Sequence, residues 1–145
     1  MMKPLSVFGI ALLWGFLTIQ SCQDSGVDPS PPTQDGGTDT VSFQTEVYPI
    51  FSKTQYGCNA CHTGTDDISW YGSASQTYSN LVNVNATRAC SPDKRVVPGN
   101  ADQSVLYRRL SGFSCGDRMP QGGNPISDSD LTLIRDWINQ GALNN

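Results

Sequence analysis

The apolar spacing of the sequence predicts a small, mainly α-helical domain, and three stretches carry that prediction. Phe43, Val47, Ile50 and Phe51 fall at i, i+4, i+7 and i+8, one stripe of a helix. Residues 104–110 read as a second, short helix with Ser104 or Asp102 as its cap. Leu131, Ile134 and Ile138, with Trp137, form a third stripe.

Taken in order, the first stripe contains Pro49, which removes one backbone hydrogen bond, so this helix should be kinked or start late. Residues 64–87, with Trp70, Tyr71, Tyr78 and Leu81, mix polar and aromatic side chains and read as a loop plus a short helix. The last helix has the fullest set of signals. Ser127 caps it, Asp128 and Asp130 suit its positive end, and Gly141 stops it.

The chain holds 145 residues, with 9 Lys and Arg, 13 Asp and Glu and a single His, for a formal net charge of −4. That length suits one domain of roughly 100–150 residues. The first 40 residues do not read as core, which leaves residues 41–145 as the folding unit with a modest core. Four acids (Asp24, Asp28, Asp35, Asp39) precede residue 40, and beyond it 9 acids face 8 bases, so the body is nearly neutral. A nucleic-acid binder would show a clustered basic face, and none is legible. With His62 as the only histidine, any scheme needing two is excluded.

Residues 1–21 read as a secretory signal: Lys3 supplies the positive start, and residues 5–19 form a 15-residue apolar stretch. A spanning helix needs about 20 apolar residues. The stretch ends in Ile19-Gln20-Ser21-Cys22, which resembles the lipobox of bacterial lipoproteins. The resemblance implies cleavage before Cys22 and its lipidation, and several acyl chains anchor stably where one does not. Ordinary cleavage or an uncleaved anchor helix are the alternatives. Residues 22–40 then form the lipidated Cys and a flexible linker, rich in Pro and Gly. Such a tether spans on the order of 20–25 Å and holds the domain off the membrane surface. The chain is therefore expected to be exported and lipid-anchored to a bacterial membrane, periplasmic or outer-membrane associated.

Cys58-Asn59-Ala60-Cys61-His62 is the C-x-x-C-H pattern of covalent c-type haem attachment. Two thiols add to the two haem vinyl groups, and the adjacent His reaches the iron from the same side. A thioredoxin-like redox pair would sit in a βαβ context, and none precedes the motif. A structural zinc site usually takes four Cys or His ligands, whereas this motif supplies three. Cys90 and Cys115 remain. In an oxidising compartment they are expected to pair as a disulfide stabilising by roughly 3–4 kcal/mol, with two separate thiols as the alternative.

With His62 committed to one face of the iron, Met119 is the candidate for the other. It is the one methionine beyond residue 2 and lies in a Pro- and Gly-rich stretch that reads as loop. Met/His ligation has precedent in this cofactor class. A core gap-filler is the alternative role for Met119, and Lys53, Lys94 or water are the alternative ligands.

These features together resemble a class I monohaem cytochrome c, and more narrowly a bacterial cytochrome c domain family often found in planctomycetes and related groups. The matching phrases are Val47-Tyr48-Pro49-Ile50-Phe51, then Val96-Val97-Pro98-Gly99-Asn100-Ala101-Asp102-Gln103-Ser104-Val105-Leu106-Tyr107-Arg108-Arg109-Leu110, and Trp137-Ile138-Asn139-Gln140-Gly141-Ala142. The resemblance covers about residues 43–142 and implies a small helical fold around one covalently bound haem, with first and last helices packed together. It also implies that a proline carbonyl, here that of Pro98, accepts the hydrogen bond of the proximal imidazole. Pro98 sits 36 residues after His62, longer than the usual spacing, and otherwise serves a Pro-Gly turn. The Cys90/Cys115 pair lies outside the usual class I pattern. Arg108 or Arg109 pairs with a haem propionate or lies on a solvated helix face.

The function this implies is a membrane-tethered carrier of single electrons between redox protein partners, not an enzyme, with Trp137 and Phe51 helping to keep water from the haem. The competing expectations are a haem sensor or peroxidase-like enzyme with an open sixth site, using Arg118, Asp117 or a Tyr, and a haem-bearing accessory subunit of a larger complex.

Overall fold

In the computed structural model, which describes residues 39–64, 68–113 and 115–145, Ser42 opens the first helical element. Its hydroxyl accepts from the Thr45 N–H at 3.3 Å, while its own N–H donates to the Glu46 carboxylate at 2.7 Å. The signal, Cys22 and the linker through residue 38 lie outside the described residues. The described ones all belong to one unit, Gly37–Asn145.

The first stripe does not begin as an α-helix. Phe43–Val47 is a π-helical turn that runs into α1, Tyr48–Phe51. The wider turn falls directly ahead of Pro49, where an α-helical turn would set the Thr45 carbonyl against the proline ring. Pro49 thus lands in the first turn of α1, where a missing N–H costs no helical bond. α2 is Cys58–His62 and α3 is Ala74–Leu81, the short helix expected within residues 64–87. α3 opens on a reciprocal cap between Ser73 and Gln76. A 3-10 turn, Arg88–Cys90, precedes α4, Val105–Ser111, which Gly112 ends in a left-handed conformation. α5 is Asp128–Asn139, capped by the Ser127 hydroxyl as expected. No strand occurs among the described residues, only isolated bridges such as Asn85 with Lys94. The protein is mainly α.

Ser104 takes the N-cap position of α4 but does not cap it. Its side chain is fully buried and turned inward, donating to the Asn100 carbonyl at 2.8 Å and accepting from the Val97 N–H at 2.8 Å. It organises the turn that holds Pro98, whose neighbour Gly99 donates to the Ile138 carbonyl at 2.7 Å.

The first and last elements pack on each other. Trp137 is fully buried with its ring centroid 5.0 Å from that of Phe43, and Tyr78 closes the cluster edge-on to Phe43 at 5.3 Å. Ile134 and Ile138 complete the buried face of α5, whereas Leu131 is only half-buried. The chain end ties this layer together: the Gln44 N–H donates to the Asn145 carbonyl, and the Trp137 indole N–H to that of Leu143, both at 2.9 Å. Trp137 therefore belongs to the helix-packing core, not to a wall of the cavity described next, where Trp70 is found instead.

Candidate functional site

α2 is too short to hold itself in place, so its position depends on what fixes its two ends. At the entry, Lys53 Nζ sits 2.8 and 2.7 Å from the two carboxylate oxygens of Asp130, and Tyr56 donates to the same carboxylate at 2.8 Å. The Tyr56 hydroxyl in turn accepts the Ser127 N–H at 3.0 Å. The turn ahead of Cys58 is thus locked onto the first turn of α5. Burial works to raise the Asp130 pKa, but hydrogen bonds from Lys53 and Tyr56, the Lys53 charge and the Ser127 bond outweigh it, and the carboxyl titrates below its ordinary 3.8.

At the exit, the chain folds back on His62. The His62 carbonyl accepts the N–H groups of Trp70 and Tyr71 at 3.0 and 2.9 Å. The Trp70 ring lies 4.8 Å from the imidazole and meets Phe51 edge-on at 5.1 Å. His62 Nδ1 lies 2.8 Å from the Ile68 carbonyl. A carbonyl only accepts, so Nδ1 carries a proton in this bond. The imidazole meets the Ile68 carbonyl, while Pro98 sits in the turn whose Gly99 N–H donates to the Ile138 carbonyl and is not among the described lining residues. The long spacing from His62 to Pro98 fits this difference.

Cys58, Cys61 and His62 fall at i, i+3 and i+4 of α2, one face of a helix, and together line a cavity of about 360 Å³. Cys58 is half-buried and Cys61 exposed, and the two sulfurs are not bonded to each other. Burial pushes the Cys58 thiol above its ordinary pKa, the bond to its own backbone opposing and Cys61 adding to the rise. Among the described residues no three His, Cys, Asp or Glu side chains gather as a metal site.

Met119 lines the same cavity, with Pro120 and Gln121. Its N–H donates to the Arg109 carbonyl at 2.8 Å, which hangs the loop from the last turn of α4. The alternative ligands lie elsewhere: Lys53 is engaged with Asp130, and Lys94 Nζ donates to the Asn83 carbonyl at 2.8 Å. Cys90 and Cys115 are joined as a disulfide, and Cys90 is part of the cavity wall.

The remaining lining is mostly apolar, with Phe51, Trp70, Leu81, Leu106 and Leu110 prominent. Three arginines, Arg88, Arg95 and Arg109, line it, and among the described residues no Asp or Glu does. Arg109 Nε is buried without a hydrogen-bond partner, while Arg108 points away and pairs with Asp93 at 2.8 Å. The cavity therefore suits a largely apolar group that carries acid functions. Asp117 and Arg118 are exposed and do not line it.

Sequence reasoning did not find Ile68, the Lys53–Tyr56–Asp130 cluster, or Cys90 as a wall residue. No local signal could have found the cluster, because it links positions 77 residues apart. No family model matches the chain, and no curated protein or solved structure matches it either.

Proposed function

We propose that the protein is an exported, lipid-anchored monohaem c-type cytochrome, its domain class I-like, which passes single electrons between periplasmic or membrane redox partners. One observation carries this reading. The C-x-x-C-H helix and the loop of Met119, 57 positions beyond His62 in the sequence, line one cavity. Neither signal required the other to be there.

The chain fits the cofactor its motif names. Each thiol, of Cys58 and Cys61, would add its S–H across one vinyl group to hold the haem, while His62 Nε2 and Met119 Sδ would ligate iron. The bound haem supplies a one-electron couple. The surrounding residues do the rest. Ile68 fixes the imidazole and keeps its proton on Nδ1, which raises the basicity of Nε2. Phe51, Trp70 and Leu81 exclude water from the apolar part of the cavity. Arg109 offers a buried, unpartnered donor to a propionate. If His62 and Met119 both held the iron, no coordination site would be left open to a substrate, which would favour outer-sphere transfer. The tether raises the effective concentration of the domain near a membrane partner.

The test is absorption spectroscopy of the purified ferric and ferrous protein, then of the ferrous form under carbon monoxide. A covalently attached haem with a low-spin spectrum unmoved by carbon monoxide is expected. The Met119→Ala variant should bind carbon monoxide and show a lower midpoint potential. Prompt carbon monoxide binding by the unaltered protein would instead favour the sensor or enzyme class.

A further inference from the structure

We propose that the Cys90–Cys115 disulfide is the positioning device for Met119: it holds the methionine loop against the cavity, so that opening it frees the sixth coordination site. The inference rests on the haem reading above and adds to it a cause for the placement of Met119.

Fifteen residues separate Gly112, which ends α4, from Asp128, which starts α5, and they contain no helix or strand among the described positions. A connection that long needs a reason to hold any one shape. The disulfide divides it. Cys115 lies three residues beyond Gly112 and four before Met119, so a covalent clamp stands next to the proposed ligand. The other half of the clamp is rigid: Cys90 is buried, ends the 3-10 turn, and packs with Ala86 and Val105 in an apolar cluster separate from the main core. That turn is fixed by the Ala86 N–H on Asp93 and the Asp93 N–H on Cys90.

Arg109 fits the clamp to α4. Its Nη1 lies 3.9 Å from Cys90 Sγ, and a Cβ added at Gly116 would come within 2.8 Å of the same nitrogen. Its backbone carbonyl holds the Met119 N–H. The 3-10 turn, the disulfide and the Met119 N–H on the Arg109 backbone carbonyl therefore form one connected strap across the cavity wall. Closing the segment through Cys115 lowers the entropy that Met119 must lose to reach the cavity, by shortening the free chain on one side of it.

The experiment uses the full-length haem-loaded protein, with Cys90→Ala/Cys115→Ala beside Met119→Ala and the unaltered chain. In-gel haem staining reads covalent attachment, the near-infrared band of Met-ligated ferric iron and carbon monoxide binding read the sixth site, and voltammetry reads the potential. The expected double variant keeps its covalent haem and helical circular dichroism, loses the Met band, binds carbon monoxide, and shifts its potential toward that of Met119→Ala. A double variant that melts lower but keeps the band, the potential and the closed site overturns the proposal and leaves the disulfide a stability element only. Should the double variant not fold, the folded protein is reduced with a phosphine and its free thiols counted by alkylation. Carbon monoxide uptake that tracks thiol release supports the strap, and a closed site with both thiols free overturns it. Absence of covalent haem from the unaltered chain would overturn the haem reading itself, a result distinct from either.

Discussion

His62 comes to the cavity from a helix tied at its entry by a buried carboxylate and at its exit by two backbone bonds and the Ile68 carbonyl. Met119 comes to it from a stretch without regular structure, tied by a disulfide four residues away and by its own N–H on Arg109. The first wall is held by many bonds made within the fold. Its geometry should survive mild perturbation, because no single bond fixes it. The second depends on few connections, so its geometry is conditional. For the electron carrier proposed above the two needs would differ: a fixed proximal imidazole would set the site, while the distal ligand would tune the potential and close the site to small molecules.

The comparison breaks most sharply at Asp130. Asp130→Ala leaves the Lys53 ammonium and the Tyr56 hydroxyl without their shared acceptor, at a cost of about 2–3 kcal/mol, with Lys53 partly relieved by solvent. Urea denaturation should show the loss, and a change below about 0.5 kcal/mol would mean that the proximal wall does not depend on this cluster. The pH dependence gives the same test a sign. The folded carboxyl titrates below 3.8, so its contribution is present above that value and is lost as pH falls through 3.8 toward the lower folded pKa. Asp130→Asn should be less stable than the unaltered protein at neutral pH, and the gap should narrow as pH drops below 3.8. A gap constant with pH would put the Asp130 carboxylate outside the network.

The stability elements were legible in the sequence where one periodic rule sufficed. The α5 stripe, its Ser127 cap and its Gly141 stop follow from residues within one segment, whereas the packing of Trp137 against Phe43 joins positions far apart and is expected only through the family resemblance. The Cys58, Cys61 and His62 face is local like the α5 stripe, since spacing alone puts i, i+3 and i+4 together. What was not legible depends on distant or side-chain-independent partners. Asp130 reads as a first-turn acid that complements the helix dipole, and only the fold brings Lys53 and Tyr56 to it. The acceptor for His62 is a backbone carbonyl, which any residue can offer, so Ile68 carries no signature and Pro98 was the more visible choice. Ser104 fits a cap by type, yet its hydroxyl serves the buried turn below it. Pro49 signalled a defect in the first helix without specifying that the defect would be a π turn.

The smallest effect sharpens the comparison on the distal side, where two adjacent arginines part company. Arg108 pairs with Asp93 on the surface, an arrangement worth about 0–1 kcal/mol. Arg109 lines the cavity with its Nε buried and unpartnered. A cation in a cavity of low dielectric disfavours the more positive, oxidised state of a bound redox centre, so its removal should lower the midpoint potential. Arg109→Gln is expected to do so while keeping the near-infrared Met band, because the Met119 N–H rests on the backbone carbonyl of residue 109 and not on its side chain. Arg108→Gln, equal in formal charge change but solvated, should leave the potential where it was. Equal shifts from both would mean that net charge alone is being read, and that the buried Arg109 nitrogen has no acid group of the cofactor to meet.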